Sequence, residues 1–385
     1  MKLSFFGDTV ISENSGLSLS QELCQVIQES DFNIINFEGS LKTETSSPIK
    51  KVGPNVSNSK ECITSLKQLG FNVLTLANNH IADFGLEGFN ETLKEIQNHN
   101  LLFCGAGNSY EQAYKPLVLE KNGEKIALIN ACHAEFGVFK DKEISLNCGY
   151  AWINNFEIKK NISECKNQGC FVIVLPHAGV EFMPCPLPEW RSLYKEFILA
   201  GADLVIGGHP HTVQGKEIFQ NKIIYYSIGN FSFYNHSKED DKDWNSGLVV
   251  TVDTKNYSFS ECFIENAKHS VRVNSSSISA NSFRQRSILL SNQKEYIETV
   301  DHLVRKLWFE TYKPLYDAVP NFINCRKHLL LNLIKYFAKK YIFRSKFQKN
   351  LNEDLLLHNI QIESHRYAVE RYLYKMNCKK NNFLK

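Results

Sequence analysis

Long apolar runs are missing from this 385-residue chain. Nowhere do about eighteen hydrophobic residues follow one another, the length a helix needs to cross a bilayer. The opening Met1-Lys2-Leu3-Ser4-Phe5-Phe6-Gly7-Asp8 falls short of the ~7–15-residue apolar core of a secretory signal, so a cytoplasmic protein is expected. Paired cysteines are missing too. The 11 cysteines are odd in number, scattered and without a C-x-x-C pair, which suits reduced thiols. Glycine (20) and proline (10) are too few for a collagen-like or low-complexity chain, and no internal repeat is visible. No G-x-G-x-x-G and no P-loop lysine accompany Gly105-Ala106-Gly107, which therefore reads as a tight loop before a helix at Tyr110. What remains is an ordinary globular composition, 43% hydrophobic and 22% charged.

Net charge is +3, but it is unevenly spread. Residues 322–385 carry 14 Lys/Arg against 4 Asp/Glu, which leaves 30 against 37 for residues 1–321. An acidic body thus precedes a basic tail region.

The first 265 or so residues alternate apolar runs with amphipathic segments. Lys2–Phe6, Phe32–Phe37 and Phe71–Leu76 read as strands, with helices starting at Ser18 and at Asn58 or Ser59 between them. This order predicts a parallel sheet with right-handed crossovers. Asn122-Gly123 marks a hairpin between Lys115–Glu120 and Lys125–Asn130. Cys170–Leu175 and Asp203–Ile206 read as buried strands around a helix near Glu189–Leu199, and Lys216–Ile264 reads as a second, mixed or antiparallel sheet. Helices are expected over 295–308, 324–343 and 363–376.

Five polar clusters follow predicted strand ends, where open α/β sheets place their ligands. They are Gly7-Asp8, Asn36-Phe37-Glu38-Gly39, Ala77-Asn78-Asn79-His80, Pro176-His177-Ala178-Gly179-Val180-Glu181 and Gly207-Gly208-His209-Pro210-His211. Carboxylate, amide and imidazole donors converging on one rim suit Mn, Fe or Zn better than Ca.

With Tyr226-Ser227-Ile228-Gly229-Asn230-Phe231, this series resembles the bacterial capsule-synthesis CapA family of the poly-γ-glutamate type, itself similar to the calcineurin-like metallophosphoesterases. The resemblance covers roughly residues 1–255. It implies an α/β fold, a four-layer α/β/β/α sandwich over residues 1–270; beyond it, Ser275-Ser276-Ser277 marks a linker at 271–285, and the residues themselves predict a basic helical extension at 286–385. It implies two divalent metal ions, with Asp8 and His211 on one, Asn79, His177 and His209 on the other, and Glu38 bridging. His80 would protonate a leaving group or steady a transition state. One departure is evident: the usual Asp-x-His reads Asp8-Thr9-Val10 here, so the first ion loses an imidazole. Glu181 compensates for that loss or holds its loop by a salt bridge. His133 faces substrate or caps, Asn230 shapes the turn under the metal loop or contacts substrate, and Arg191 is a candidate anion contact.

The implied activity is metal-dependent hydrolysis of a phosphoester or related bond in the biosynthesis of a capsule or other surface polymer. An amide or ester bond of a poly-γ-glutamate-like polymer stays open, as does a non-catalytic role in polymer binding or export. The expected partner is an anionic surface polymer or its phosphorylated precursor. Residues 327–349 pair apolar positions with seven Lys/Arg; they dock on the body or meet an anionic membrane face. No nucleic-acid reading motif accompanies the charge.

Overall fold

A computed structural model describes residues 1–12, 16–142, 146–274, 276–313, 358 and 361–381. The chain divides into two compact units: Met1–Ile49 with Asn55–Val300, and Lys50–Pro54 with Asp301–Lys385.

In the first unit, strand β1 (Lys2–Val10) leads through helix α1 (Gln21–Gln28) to β2 (Phe32–Phe37). Helix α2 (Lys60–Leu69) then leads to β3 (Val73–Thr75), and α3 (Gly85–Asn98) to β4 (Leu102–Cys104). These four strands lie side by side and parallel, in chain order, as the alternating pattern predicts. Ser20, not Ser18, is the N-cap of α1, because Ser18–Leu19 pairs with a neighbouring strand; α2 is capped at Ser59 and stops at Gly70.

After the short helix α4 (Tyr110–Tyr114), strands β5 (Leu117–Lys121) and β6 (Glu124–Cys132) form the expected hairpin. Helix α5 (Phe156–Asn167), β7 (Phe171–His177), α6 (Pro188–Ala200) and β8 (Leu204–Ile206) follow. With β9 (Lys216–Phe219) and β10 (Lys222–Tyr225) they build a six-stranded sheet in the order β9-β10-β8-β7-β6-β5.

The single sheet expected over Lys216–Ile264 is split. Its first two strands belong to the six-stranded sheet, while β11 (Asn230–Phe233), β12 (Ser246–Asp253), β13 (Ser258–Ala267) and β14 (Ser270–Val273) return to the first. There β12 pairs antiparallel and β11 parallel with β1. The reason lies in β12: Leu248, Val250 and Val252 are buried on one face and Val249 on the other, so the strand needs cover on both sides and takes a central place.

Alternation along the strands sets the layers. Leu3, Phe5, Ile34 and Val73 of the first sheet meet Ile126, Leu128, Ile173, Leu175 and Leu204 of the second in one inter-sheet core. The opposite face of the first sheet, with Phe6, Ile35, Phe37 and Leu74, packs against Leu23, Ile27, Ile63, Leu66, Phe89 and Ile96 of α1 to α3. Helix α5 covers β6 and β7, and α6 covers β8 and β10. The result is the four-layer α/β/β/α sandwich. Each fully buried Leu, Ile or Phe in it contributes ~1.5–3 kcal/mol.

Residues 271–285, expected as a linker, hold the end of β14 and the first turns of α7 (Ser277–Ser291). The Ser276 hydroxyl accepts from the Ile278 amide at 3.2 Å to start that helix. Phe283 is buried in the inter-sheet core, so the segment is packed structure. Helix α8 (Gln293–Leu307) answers to the pattern over 295–308. In the second unit, α9 (Glu363–Asn381) is described; Trp308 stacks on Tyr372 at 4.9 Å and Arg371 meets Asp301 at 3.0 Å. The basic stretch 327–349 and the helix expected over 324–343 lie outside the described residues. Among the described residues, no helix is long and apolar enough to cross a membrane.

Candidate metal centre

The carboxyl ends of β1, β2 and β3 in one sheet and of β6, β7 and β8 in the other open onto the same rim. Asp8 sits at a register shift near the end of β1, Glu38 directly after β2, Asn79 and His80 after β3, His177 at the end of β7, and His209 and His211 after β8. All seven are buried. Two glycines make this approach possible. A Cβ on Gly7 would stand 1.9 Å from the Gly229 carbonyl oxygen, and one on Gly208 would stand 3.0 Å from Asp8 Oδ1. His209 and His211 flank Pro210 with φ of 92° and 54°, left-handed conformations that cost ~1–3 kcal/mol each and gather at functional sites. The His209 amide donates to Asp8 Oδ2 at 3.1 Å and helps hold the loop there.

Two donor sets share Glu38. Around His177 Nε2 lie Asn79 Oδ1 at 3.2 Å, His209 Nδ1 at 3.3 Å and Glu38 Oε1 at 3.9 Å. On the other side, His211 Nδ1 is 3.4 Å from Asp8 Oδ2 and its Nε2 is 3.8 Å from Glu38 Oε1. The structure therefore brings together the six residues expected as ligands. His80 joins them, with Nε2 3.9 Å from Glu38 Oε1, while its Nδ1 donates to Asp83 Oδ2 at 2.6 Å.

The electrostatics suit a cation. Glu38 is fully buried, and neither of its oxygens has a hydrogen-bond partner; an unsatisfied buried acceptor costs ~1–3 kcal/mol, more when charged. Burial lifts its carboxyl well above the usual range; His211 opposes this, and Asp8, Glu181 and Asp83 add to it. Burial also raises Asp8, but His177, His211 and the Asn36 amide outweigh it and hold the carboxyl below its ordinary value. Burial and the neighbouring imidazoles push His177 down to about 3, against the pull of Asp8, and hold His209 far below its usual value. Both rings are thus in the neutral, ligating form at neutral pH. For His211, burial is overcome by Glu38, Asp8 and Glu181, which raise it to about 10. Two carboxylates and three imidazoles, with an orphaned carboxylate at the centre, fit divalent first-row metal ions.

Val10, where an imidazole would stand in an Asp-x-His motif, is committed to pairing with Phe233 of β11. Asn230 accepts from His211 Nδ1 at 2.9 Å and donates to the Trp244 carbonyl at 3.0 Å, so it aims the imidazole. Glu181 is half-buried and acts on Glu38 and His211 through its charge. His133 is wholly buried, its Nε2 2.7 Å from Glu135 Oε1.

Arg191 is not an anion contact. Its guanidinium is spent on Glu217 through two 2.8 Å bonds, on Gln293 at 3.0 Å and on the Leu290 carbonyl at 2.6 Å. Arg191→Ala is expected to lower stability by ~1–3 kcal/mol, through loss of its charge-assisted hydrogen bonds while Glu217 keeps Lys195 and the Tyr226 hydroxyl, without changing metal content. Urea unfolding alongside metal analysis checks this.

Two residues of the site, Asp83 and Glu135, lie outside the strand-end clusters, and a third, Asn36, lies inside one with no role assigned to it. Asn36 donates to Asp8 Oδ1 at 2.7 Å, Asp83 holds His80, and Glu135 meets both His133 and the Asn79 amide, the latter at 3.3 Å. The signal for Asn36 was available, because it lies two residues before Glu38 on one strand face.

A model of the bacterial capsule synthesis protein family PGA_cap matches residues 2–235, the span from β1 to β11 that contains the whole ring. The chain belongs to this family. Its relatives include the capsule biosynthesis protein CapA of Bacillus anthracis, 32% identical over 54% of this chain and 51% of that protein. The PGA biosynthesis protein CapA of Bacillus subtilis is 31% identical over 60% of this chain and 63% of its own length. The matched segment thus spans about half to under two thirds of these relatives. Among solved structures, Haemophilus influenzae NAD nucleotidase (NadN) is matched at 11% identity and a TM-score of 0.37, over 73% of this chain and 61% of that one, too distant to carry chemistry across.

Proposed function

We propose that this PGA_cap protein is a metal-dependent hydrolase acting on a phosphoester or related bond in the biosynthesis of a capsule or other anionic surface polymer. The observation that carries this reading is Glu38, fully buried and without a hydrogen-bond partner in a ring of Asp8, Asn79, His177, His209 and His211. Divalent ions held by these residues would supply Lewis acidity towards a phosphoryl or carbonyl oxygen and a nucleophile at neutral pH.

The chain's own groups do the rest. Asp83 Oδ2 also accepts the Val56 amide at 2.8 Å, so the carboxylate that orients His80 is itself anchored. That pairing fixes the His80 proton on Nδ1 and turns Nε2 towards Glu38. A protonated His80 is then placed to give its Nε2 proton to a leaving oxygen. A role confined to polymer binding has no use for such a dyad.

Phe182 stands exposed beside the ring in a left-handed conformation, φ 62°. Its ring centre is 5.9 Å from that of Trp244, and Lys238 Nζ lies 4.3 Å above it. An apolar face under a cation matches a chain-like anionic substrate. Phe182→Ala is expected to raise KM for such a substrate roughly 3–10-fold with kcat kept, read from steady-state kinetics on polymer and on a small ester.

The name of the Bacillus subtilis relative, a PGA biosynthesis protein, is in keeping with the amide-bond alternative on a poly-γ-glutamate-like polymer. A panel of phosphomonoesters, phosphodiesters and γ-glutamyl amides, with added Mn, Zn or Fe, decides between them. Turnover of the amides alone would replace the phosphoester reading; metal binding with no turnover of any substrate would end the hydrolase reading.

A further inference from the structure

Beyond the ring, a second constellation of ligand-type side chains lies at the end of β6. We propose that His133, Glu135 and His209 form a further position for a first-row divalent cation, an inference that rests on the metal-centre reading above. One donor atom from each lies within 4.8 Å of the other two, and all three residues are buried. The His133 and His209 rings meet edge to face with centroids 4.4 Å apart. Two imidazoles and one carboxylate is the protein donor count of open zinc-type sites.

The backbone under these donors is prepared. The His133 amide donates to the His177 carbonyl at 3.2 Å, locking the turn to the strand that carries a ring ligand. Tyr150, fully buried, spans the turn: its hydroxyl donates to the His133 carbonyl at 3.1 Å and accepts from the Glu135 amide at 2.8 Å. His133 Nδ1 is buried without a hydrogen-bond partner, so the pairing with Glu135 alone leaves this imidazole incompletely satisfied. His209 has two ring nitrogens, and its Nδ1 already faces His177. To serve two neighbouring ions His209 would bridge them as an imidazolate, its remaining N–H proton being released to solvent as the second ion binds.

The competing role is a supporting one. Glu135 accepts from both His133 and the Asn79 amide and in that role would only orient Asn79 towards the ring. The two roles differ in the number of ions held. Metal-free full-length wild type, Glu135→Gln, His133→Ala and Glu38→Gln are titrated with Zn²⁺ and Co²⁺. Ions per chain are read by native mass spectrometry, Co²⁺ coordination by its visible absorption, and folding by far-UV circular dichroism.

The expected result is one ion per chain fewer in Glu135→Gln and in His133→Ala than in wild type, with that position kept in Glu38→Gln. Equal ion counts in wild type and Glu135→Gln, with affinity merely ~10–100-fold weaker, would overturn the proposal and leave the ring reading intact. Ions that survive Glu38→Gln in full number but fall by one in Glu135→Gln would keep this position and remove the ring. No ion in wild type would overturn both. Glu135→Gln keeps the side-chain shape, so it remains informative even if His133→Ala fails to fold.

Discussion

Glu38→Gln is expected to strip the ring of its metal and to remove metal-dependent turnover altogether. Glu38 Oε1 lies 3.8 to 3.9 Å from the Nε2 atoms of His80, His177 and His211, so one carboxylate faces both donor sets. An amide of the same shape keeps the packing but loses the charge that would balance bound cations. The loss should exceed the roughly 10–100-fold drop in affinity that follows removal of a mere outer partner. Thermal unfolding separates metal loss from misfolding. A ligand at about 100 times its Kd stabilises a native protein by ~2.7 kcal/mol, so added metal should raise the unfolding temperature of wild type and not of Glu38→Gln. Metal-free Glu38→Gln should unfold no more readily than metal-free wild type, since the amide removes a buried, unsatisfied charge. A variant that keeps full metal content and wild-type turnover would remove Glu38 from the centre.

His80→Ala is expected to keep its metal and lose about 10²–10⁴-fold in rate, the usual scale of general acid catalysis. The imidazole is anchored by Asp83 on one side and faces Glu38 on the other, without being needed to complete either donor set. Substrates whose leaving groups depart without a proton should suffer least. Asp83→Asn should lose less than His80→Ala, because an amide still accepts from Nδ1 but no longer balances an imidazolium. Rates on a phenyl and a nitrophenyl ester, with metal content measured on the same samples, make the comparison. Equal losses on both esters would mean that His80 acts by some route other than protonation.

The ring was legible because polar residues that immediately follow an apolar run stand at a strand's carboxyl end, and parallel strands bring such ends together. Asp8, Glu38, Asn79, His177, His209 and His211 all carry that local signature. Glu135 and Asp83 do not; each lies a few residues into a loop whose path depends on distant partners, Tyr150 for one and the Val56 amide for the other. Arg191 misled for a related reason. A guanidinium beside a strand-end cluster is equally compatible with a substrate and with Glu217, and only the packing of β9 and α7 chooses. Sheet membership over Lys216–Ile264 was hidden in the same way, since alternation shows that a strand is buried but not which strand lies beside it.

The pairing of β1 bears on how the protein comes into being. Leu3 pairs with Val252, and the Asp8 amide donates to the Gly229 carbonyl. Strand β1 must therefore wait for β11 and β12, made more than two hundred residues later, to complete its pairing. At about 5–20 residues per second, that wait is ~10–50 s, during which the apolar faces of Leu3, Phe5 and Phe6 lack their partners. Such non-local closure makes for slow folding and a long aggregation-prone interval. A messenger cut short anywhere before β12 would yield a product without this closure, its β1 left with one edge unpaired and open to other chains.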